Sequence, residues 1–215
     1  MKKLSLILLI CFFSLTGCRS NKFEMPSVQG MIYDGNNEPV SDVEVLINDK
    51  KNAVSDIYGH FTLTGLELTK AYSLKAVKKG FEDVNFSFNY SSPSQVIYLR
   101  MYSASELLSS AEAMVEEKKY NEAEKFLDRA ELSGGSYLGI NYLRACIKYL
   151  TGDYDAALSL LNAIVNEGYV DSNIYLFIAD VYENGFSDIE NTKIYLQKAL
   201  ELSYDPAIQK RLLSK

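Results

Sequence analysis

Two hydrophobic periods divide the chain. Between residues 27 and 102, apolar side chains recur at every second position. The runs are Val28, Gly30, Ile32; Val43, Val45, Ile47; Phe61, Leu63; Tyr72, Leu74, Ala76; Val84, Phe86, Phe88; and Ile97, Leu99, Met101. Period two gives each strand one apolar face. Turn-forming stretches separate the runs at Asp34-Gly35-Asn36-Asn37-Glu38-Pro39, Asn48-Asp49-Lys50-Lys51-Asn52, Asp56-Ile57-Tyr58-Gly59 and Gly80. About seven short strands at this spacing predict two sheets closed over a shared core. After Tyr102 the apolar spacing becomes three and four, as in Leu107, Leu108, Ala111, Met114 and Val115. That is the helical period. Ahead of both regions, Leu4 to Leu15 is apolar except at Ser5 and Ser14. It falls short of the roughly 20 residues that span a bilayer.

Composition narrows the function classes. The 215 residues are 47% hydrophobic, enough for two small domains. The formal net charge is −6, without basic clusters. Phosphate contacts need Lys and Arg, so nucleic acid is not an expected partner. His60 is the single histidine, which weighs against a zinc hydrolase or a Ser–His triad. Ser133-Gly134-Gly135-Ser136 is Gly-rich but lacks the lysine of a phosphate-binding loop. Asp34, Asn36 and Glu38 lack the glycine and distal glutamate of a calcium loop. Asp34 and Asp56 are expected to cap turns instead. The chain is therefore expected to have no catalytic residues, no metal site and no cofactor.

The start of the chain resembles a secretory signal: Lys2 and Lys3, the short apolar run, then small residues. Leu15-Thr16-Gly17-Cys18 resembles the lipobox of bacterial lipoproteins. The resemblance implies cleavage before Cys18, lipid on its sulfur, and membrane attachment through several acyl chains. Residues 1–17 are then a signal peptide and 18–26 a lipidated tether. Arg19 follows the cysteine where aspartate would imply inner-membrane retention, so the resemblance favours an outer-membrane location in the cell envelope. Cleavage also removes Cys11, leaving Cys146 without a partner. Cys146 is read as a small buried core residue.

Between 27 and 102, a longer resemblance appears. Gly30-x-Ile32-x-Asp34, Pro39-Val40-x-Asp42-Val43-x-Val45, Asp56-x-x-Gly59-x-Phe61, Tyr72-x-Leu74 and Gly80-Phe81 follow in order. This region resembles the carboxypeptidase regulatory-like domain, a transthyretin-like seven-strand Greek-key β-sandwich. In that family the domain accompanies a catalytic unit without doing chemistry, which implies a stalk, spacer or binding module.

The helical region repeats itself. Ala111, Ala145 and Ala179 fall 34 residues apart, as do Tyr120 and Tyr154, Ala123 and Ala157, and Leu127 and Leu161. The period resembles the tetratricopeptide repeat. The implied fold for 104–215 is about three helical hairpins (104–137, 138–171, 172–206) with a C-terminal capping helix begun by Asp205-Pro206. The third unit departs from the pattern. One residue is inserted near Gly185-Phe186-Ser187-Asp188, and Thr192 stands where alanine is expected. The whole chain is thus read as multidomain, all-β followed by all-α.

By the same resemblance, the first helices of the repeats line a concave face. Its positions here are Leu108, Glu112, Val115, Tyr142, Tyr149, Leu176, Asp180 and Glu183. Cys146 falls on that face too, but is assigned to the core. The set suits a groove for a peptide segment whose basic residues meet Asp180 and Glu183. Packing alone would also account for Tyr142 and Tyr149 as half-buried core. The expected function is a non-catalytic, membrane-anchored scaffold that recruits another envelope protein. The alternative is a surface glycan-binding module using Tyr33, Tyr58 and Tyr90, near the turns of the β region.

Overall fold

The structure, a computed structural model, describes residues 27–215. The signal segment, Cys18 and the tether lie outside the described residues.

Among the described residues, seven strands come first: β1 (Val28–Tyr33), β2 (Glu44–Ile47), β3 (Lys50–Val54), β4 (His60–Leu63), β5 (Ala71–Val77), β6 (Val84–Asn89) and β7 (Val96–Arg100). They form a three-stranded sheet, ordered β4-β1-β7, and a four-stranded sheet, ordered β3-β2-β5-β6. Val28 and Ile32 from one sheet and Val45, Leu74 and Ala76 from the other meet in one buried core. The period-two runs supply these inward faces.

Two features of the sheets differ from the sequence reading. Asn48–Asn52 was expected as a single polar turn. Only Asn48 and Asp49 turn, both with positive φ (48° and 62°), as a two-residue hairpin loop requires. Lys50 and Lys51 already belong to β3, an edge strand exposed along most of its length. An edge needs no apolar alternation, and lysines there discourage pairing with other chains. The second difference is that β7 pairs parallel to β1, with Gln29 beside Val96 and Tyr33 beside Arg100. The chain therefore leaves the β region at the end opposite to where β1 begins.

Asp34 and Asp56 cap their turns as the residue types predict. Asp34 Oδ1 accepts the amides of Asn36 and Glu38, each at 2.9 Å. Asp56 Oδ1 accepts those of Tyr58 and His60, also at 2.9 Å. The amide of His60, foremost, holds the Asp56 carboxyl below its ordinary range.

Seven α-helices follow: α1 (Ala104–Glu116), α2 (Tyr120–Leu132), α3 (Tyr137–Leu150), α4 (Tyr154–Asn166), α5 (Ser172–Val181), α6 (Ile189–Leu202) and α7 (Pro206–Leu213). α1 with α2, α3 with α4, and α5 with α6 form hairpins. Ala111, Ala145, Ala179, Ala123, Ala157 and Ala199 are all fully buried, so close helix approach rests on small side chains. Lys118, Gly152 and Ser187 each take positive φ inside a hairpin. Their spacing is 34 and then 35, which locates the inserted residue. It is absorbed as a single π-helical turn, Tyr182–Phe186, at the end of α5. Thr192 is fully buried, and its hydroxyl donates to Asp188 O at 2.6 Å. That bond satisfies a polar group where alanine would have none.

The two regions meet in a bonded joint. Glu82 N donates to Tyr102 O at 2.8 Å, and Ala104 N to Gly80 O at 2.9 Å. Ser103 and Glu106 form a capping box at the start of α1. The free oxygen of Glu106 accepts Asn36 Nδ2 at 3.0 Å. Arg129 of α2 grips Glu82 with two hydrogen bonds, Nε at 2.9 Å and Nη2 at 2.7 Å. Its guanidinium also lies over the rings of Tyr102 and Phe126.

Candidate functional site

A groove of about 390 Å³ runs between α3 and α5. α3 contributes Tyr142, Cys146, Tyr149 and Leu150, at the three- and four-residue spacing of one helix face. α5 contributes Asn173, Leu176, Phe177 and Asp180 in the same way. Phe177 meets Tyr142 and Tyr149 edge-on at 5.5 Å each. Tyr149 also meets Tyr154 at 5.6 Å, and its hydroxyl accepts Asn184 Nδ2 at 2.9 Å. The groove is apolar and aromatic with a carboxylate at one edge, suited to an apolar side chain beside a cation.

Of the expected groove residues, Tyr142, Tyr149, Leu176 and Asp180 come together here. Leu108, Glu112 and Val115 do not. Leu108 is half-buried and leans on Gly139 of α3, where an added Cβ would lie 2.8 Å from its Cδ2. Val115 packs into the core of the first hairpin, while Glu112 is exposed. The space between α1 and α3 is filled by that packing, so the groove begins at α3. Glu183 lies next to Asp180, but both are engaged within the chain. Arg211 Nη2 bonds Asp180 Oδ1 at 2.6 Å, Arg211 Nε donates to Glu183 Oε2 at 3.1 Å, and Lys215 bonds the other Glu183 oxygen. Hydrogen bonding from Lys215, then Arg211, holds the Glu183 carboxyl below its ordinary range.

Cys146 lines this groove and is only half-buried, which corrects the core assignment. Its concave-face position in the repeat was the signal that could have found it. Burial pushes its thiol up to about 11, so at neutral pH it is an apolar lining group rather than a nucleophile. Phe177 had no such signal, because it sits one residue past a concave-face position and reaches the groove between two tyrosines.

The β region presents a second surface. On the solvent face of the three-stranded sheet, Met31 stands between His60 and Tyr98 on its two neighbouring strands. Tyr58 tilts onto His60 at 6.2 Å, and Tyr33 donates its hydroxyl to Met31 Sδ at 3.2 Å. Tyr58 and Tyr98 are 62% and 67% exposed. Tyr90, expected among surface aromatics, is instead fully buried in the β core. Nearness to a turn did not reveal which way its ring points. Its hydroxyl has no hydrogen-bond partner among the described residues.

Among the described residues there is no cluster of three or more side chains able to hold a metal, and no helix long and apolar enough to cross a membrane. No family model matches the chain, and no curated protein sequence is significantly similar to it. Similar solved structures include residues 41 to the end of MamA from Desulfovibrio magneticus RS-1, at 20% identity and TM-score 0.44, covering 51% of this chain and 62% of that one. The TPR2AB domain of yeast Sti1, in its pHSP90 complex, is similar at 23% identity and TM-score 0.46, over 52% of this chain and 45% of that one. The N-terminal domain of stress-induced protein-1 from C. elegans is similar at 13% identity and TM-score 0.45, over 52% and 92%. The chain thus spans less than two thirds of the first two.

Proposed function

We propose that this protein is a non-catalytic envelope lipoprotein that recruits a partner protein through its helical repeats. The observation that carries the reading is the aromatic α3–α5 groove with Asp180 at its edge. A concave face that gathers Tyr142, Tyr149, Phe177 and Leu176 offers anchoring pockets of the kind that dominate peptide recognition. In this reading the helices are tetratricopeptide repeats, three with a cap. The β region is a Greek-key sandwich of the carboxypeptidase regulatory-like kind, acting as a spacer. The direction of β1 supports the spacer. β1 begins at one end, and parallel β1–β7 pairing sends the helices off the other, about 20 Å away along six residues of strand. Lipid on Cys18 then holds the array clear of the membrane surface, with the outer membrane as its location.

Two measurements test the reading. Palmitate labelling of wild type and Cys18→Ser should label only the former, and labelling of the serine variant would contradict the anchor. Affinity recovery from crosslinked envelopes should return a defined protein with wild type and much less of it with Leu176→Glu. Equal recovery would remove the groove from the account.

A second reading is favoured by the row Tyr58, His60, Met31 and Tyr98. Exposed Tyr58 and Tyr98 on either side of the half-buried Met31 suit stacking against sugar rings. Retarded migration in polysaccharide gels, lost in Tyr98→Ala, would support it. Unaltered migration of wild type would dismiss it.

A further inference from the structure

The acidic edge of the groove is already held by the chain's own cations. Asp180 lines the groove and also bonds Arg211, while Glu183 takes Arg211 and Lys215. Both cations come from α7 and the residues just after it. Little else holds that segment. Ile208 is its one buried side chain, Leu212 is half-buried, and Leu213 is 80% exposed. An eight-residue helix is not stable by propensity alone. Its ion pairs are partly exposed, so solvent screening weakens each of them. The segment therefore belongs to the part of the fold that opens locally at small cost.

We propose that α7 is a strap that competes with a cationic partner segment for Asp180 and Glu183. The proposal rests on the groove reading and adds its regulation and the chemistry of its ligand. The edge holds a guanidinium and an ammonium, so a partner that takes their place supplies Arg or Lys there. Beside it the partner supplies an apolar or aromatic side chain for the space among Tyr142, Leu176 and Phe177. An acidic segment would meet like charge at Asp180 and Glu183. While the strap is closed, Arg211 satisfies Asp180 and no charge is left to attract a ligand. Binding requires Arg211 to leave, so apparent affinity is the intrinsic affinity multiplied by the fraction of molecules in which the strap is open.

The test uses the full chain in detergent and a fluorescein-labelled peptide of alternating Arg and Phe, with a Glu–Phe peptide as control. Arg211→Gln/Lys215→Gln keeps Ile208 and Leu212, and so leaves the packing of α7 in place. It should bind the Arg–Phe peptide about tenfold tighter than wild type, as for a site closed about nine-tenths of the time. Adding Asp180→Asn should abolish the gain, and the Glu–Phe peptide should bind neither protein. Hydrogen exchange of residues 206–213 should quicken when the Arg–Phe peptide binds wild type. Equal affinity of wild type and the double variant, or unchanged exchange on binding, overturns the strap alone. Failure of the Arg–Phe peptide to bind any variant overturns the groove reading and the strap with it.

Discussion

The joint between the two regions yields a quantitative expectation. Arg129 and Glu82 form a two-bond pair with side chains 36% and 31% exposed. Hydrogen bonds to charged groups contribute about 1.5–3 kcal/mol. With each partner about one-third in solvent, screening reduces the pair to about 1–2 kcal/mol. Arg129 also lies over Tyr102 and Phe126, at 5.5 and 5.2 Å, and such contacts add about 0.5–1 kcal/mol each. Glu82→Ala should therefore cost about 1–2 kcal/mol and Arg129→Ala about 2–4 kcal/mol. The double variant should cost less than the sum, by about 1–2 kcal/mol. Urea unfolding, followed by circular dichroism and by Tyr fluorescence, measures all four proteins. If the pair couples the regions, both probes should also report one transition in wild type and separated transitions in Arg129→Ala. Additive costs to within a few tenths of a kcal/mol would refute the pair as a coupling element.

Two further expectations follow from buried groups and a third from the Glu183 ion pairs. Tyr90→Phe removes a buried hydroxyl without a partner and should stabilise the protein by about 1 kcal/mol in thermal or urea unfolding; a loss of stability would mean the hydroxyl is bonded. Ala145→Leu adds volume at a fully buried helix crossing and should cost about 1–3 kcal/mol, read as a lowered melting temperature. The third concerns acid. Glu183 has its folded pKa below the ordinary 4.5, so its contribution to docking α7 is complete above that value and is lost as pH falls through the lowered one. Exchange protection of residues 206–213 should therefore persist at pH 5 and disappear at a lower pH, and loss already near pH 6 would contradict the assignment.

Much of the fold was legible because single residues carried it. The alanines at 34-residue spacing mark where helices touch, and Asp34 and Asp56 mark turns that only a short acceptor side chain closes. The inserted residue before Asp188 was visible as a break in period, although its form as a π-helical turn was not. Less of the site could be read. Repeat position says which way a side chain faces, not whether a neighbour fills the space before it, and Leu108 fills the space before α3. Charge in the sequence likewise does not say that Asp180 and Glu183 meet Arg211, which lies 28 residues beyond Glu183. Strand β3 escaped because an exposed edge has no apolar alternation. The parallel β1–β7 pair escaped because strands so far apart in sequence leave no local trace of their partner.

The central claim is that the α3–α5 groove receives the partner. A photo-crosslinking amino acid placed at Leu176, inside the groove, and separately at Ser159, exposed on α4, tests it most directly in intact cells. The account predicts a discrete crosslinked protein species from position 176 and none from position 159. No adduct at 176, or the same adduct from both positions, would contradict it.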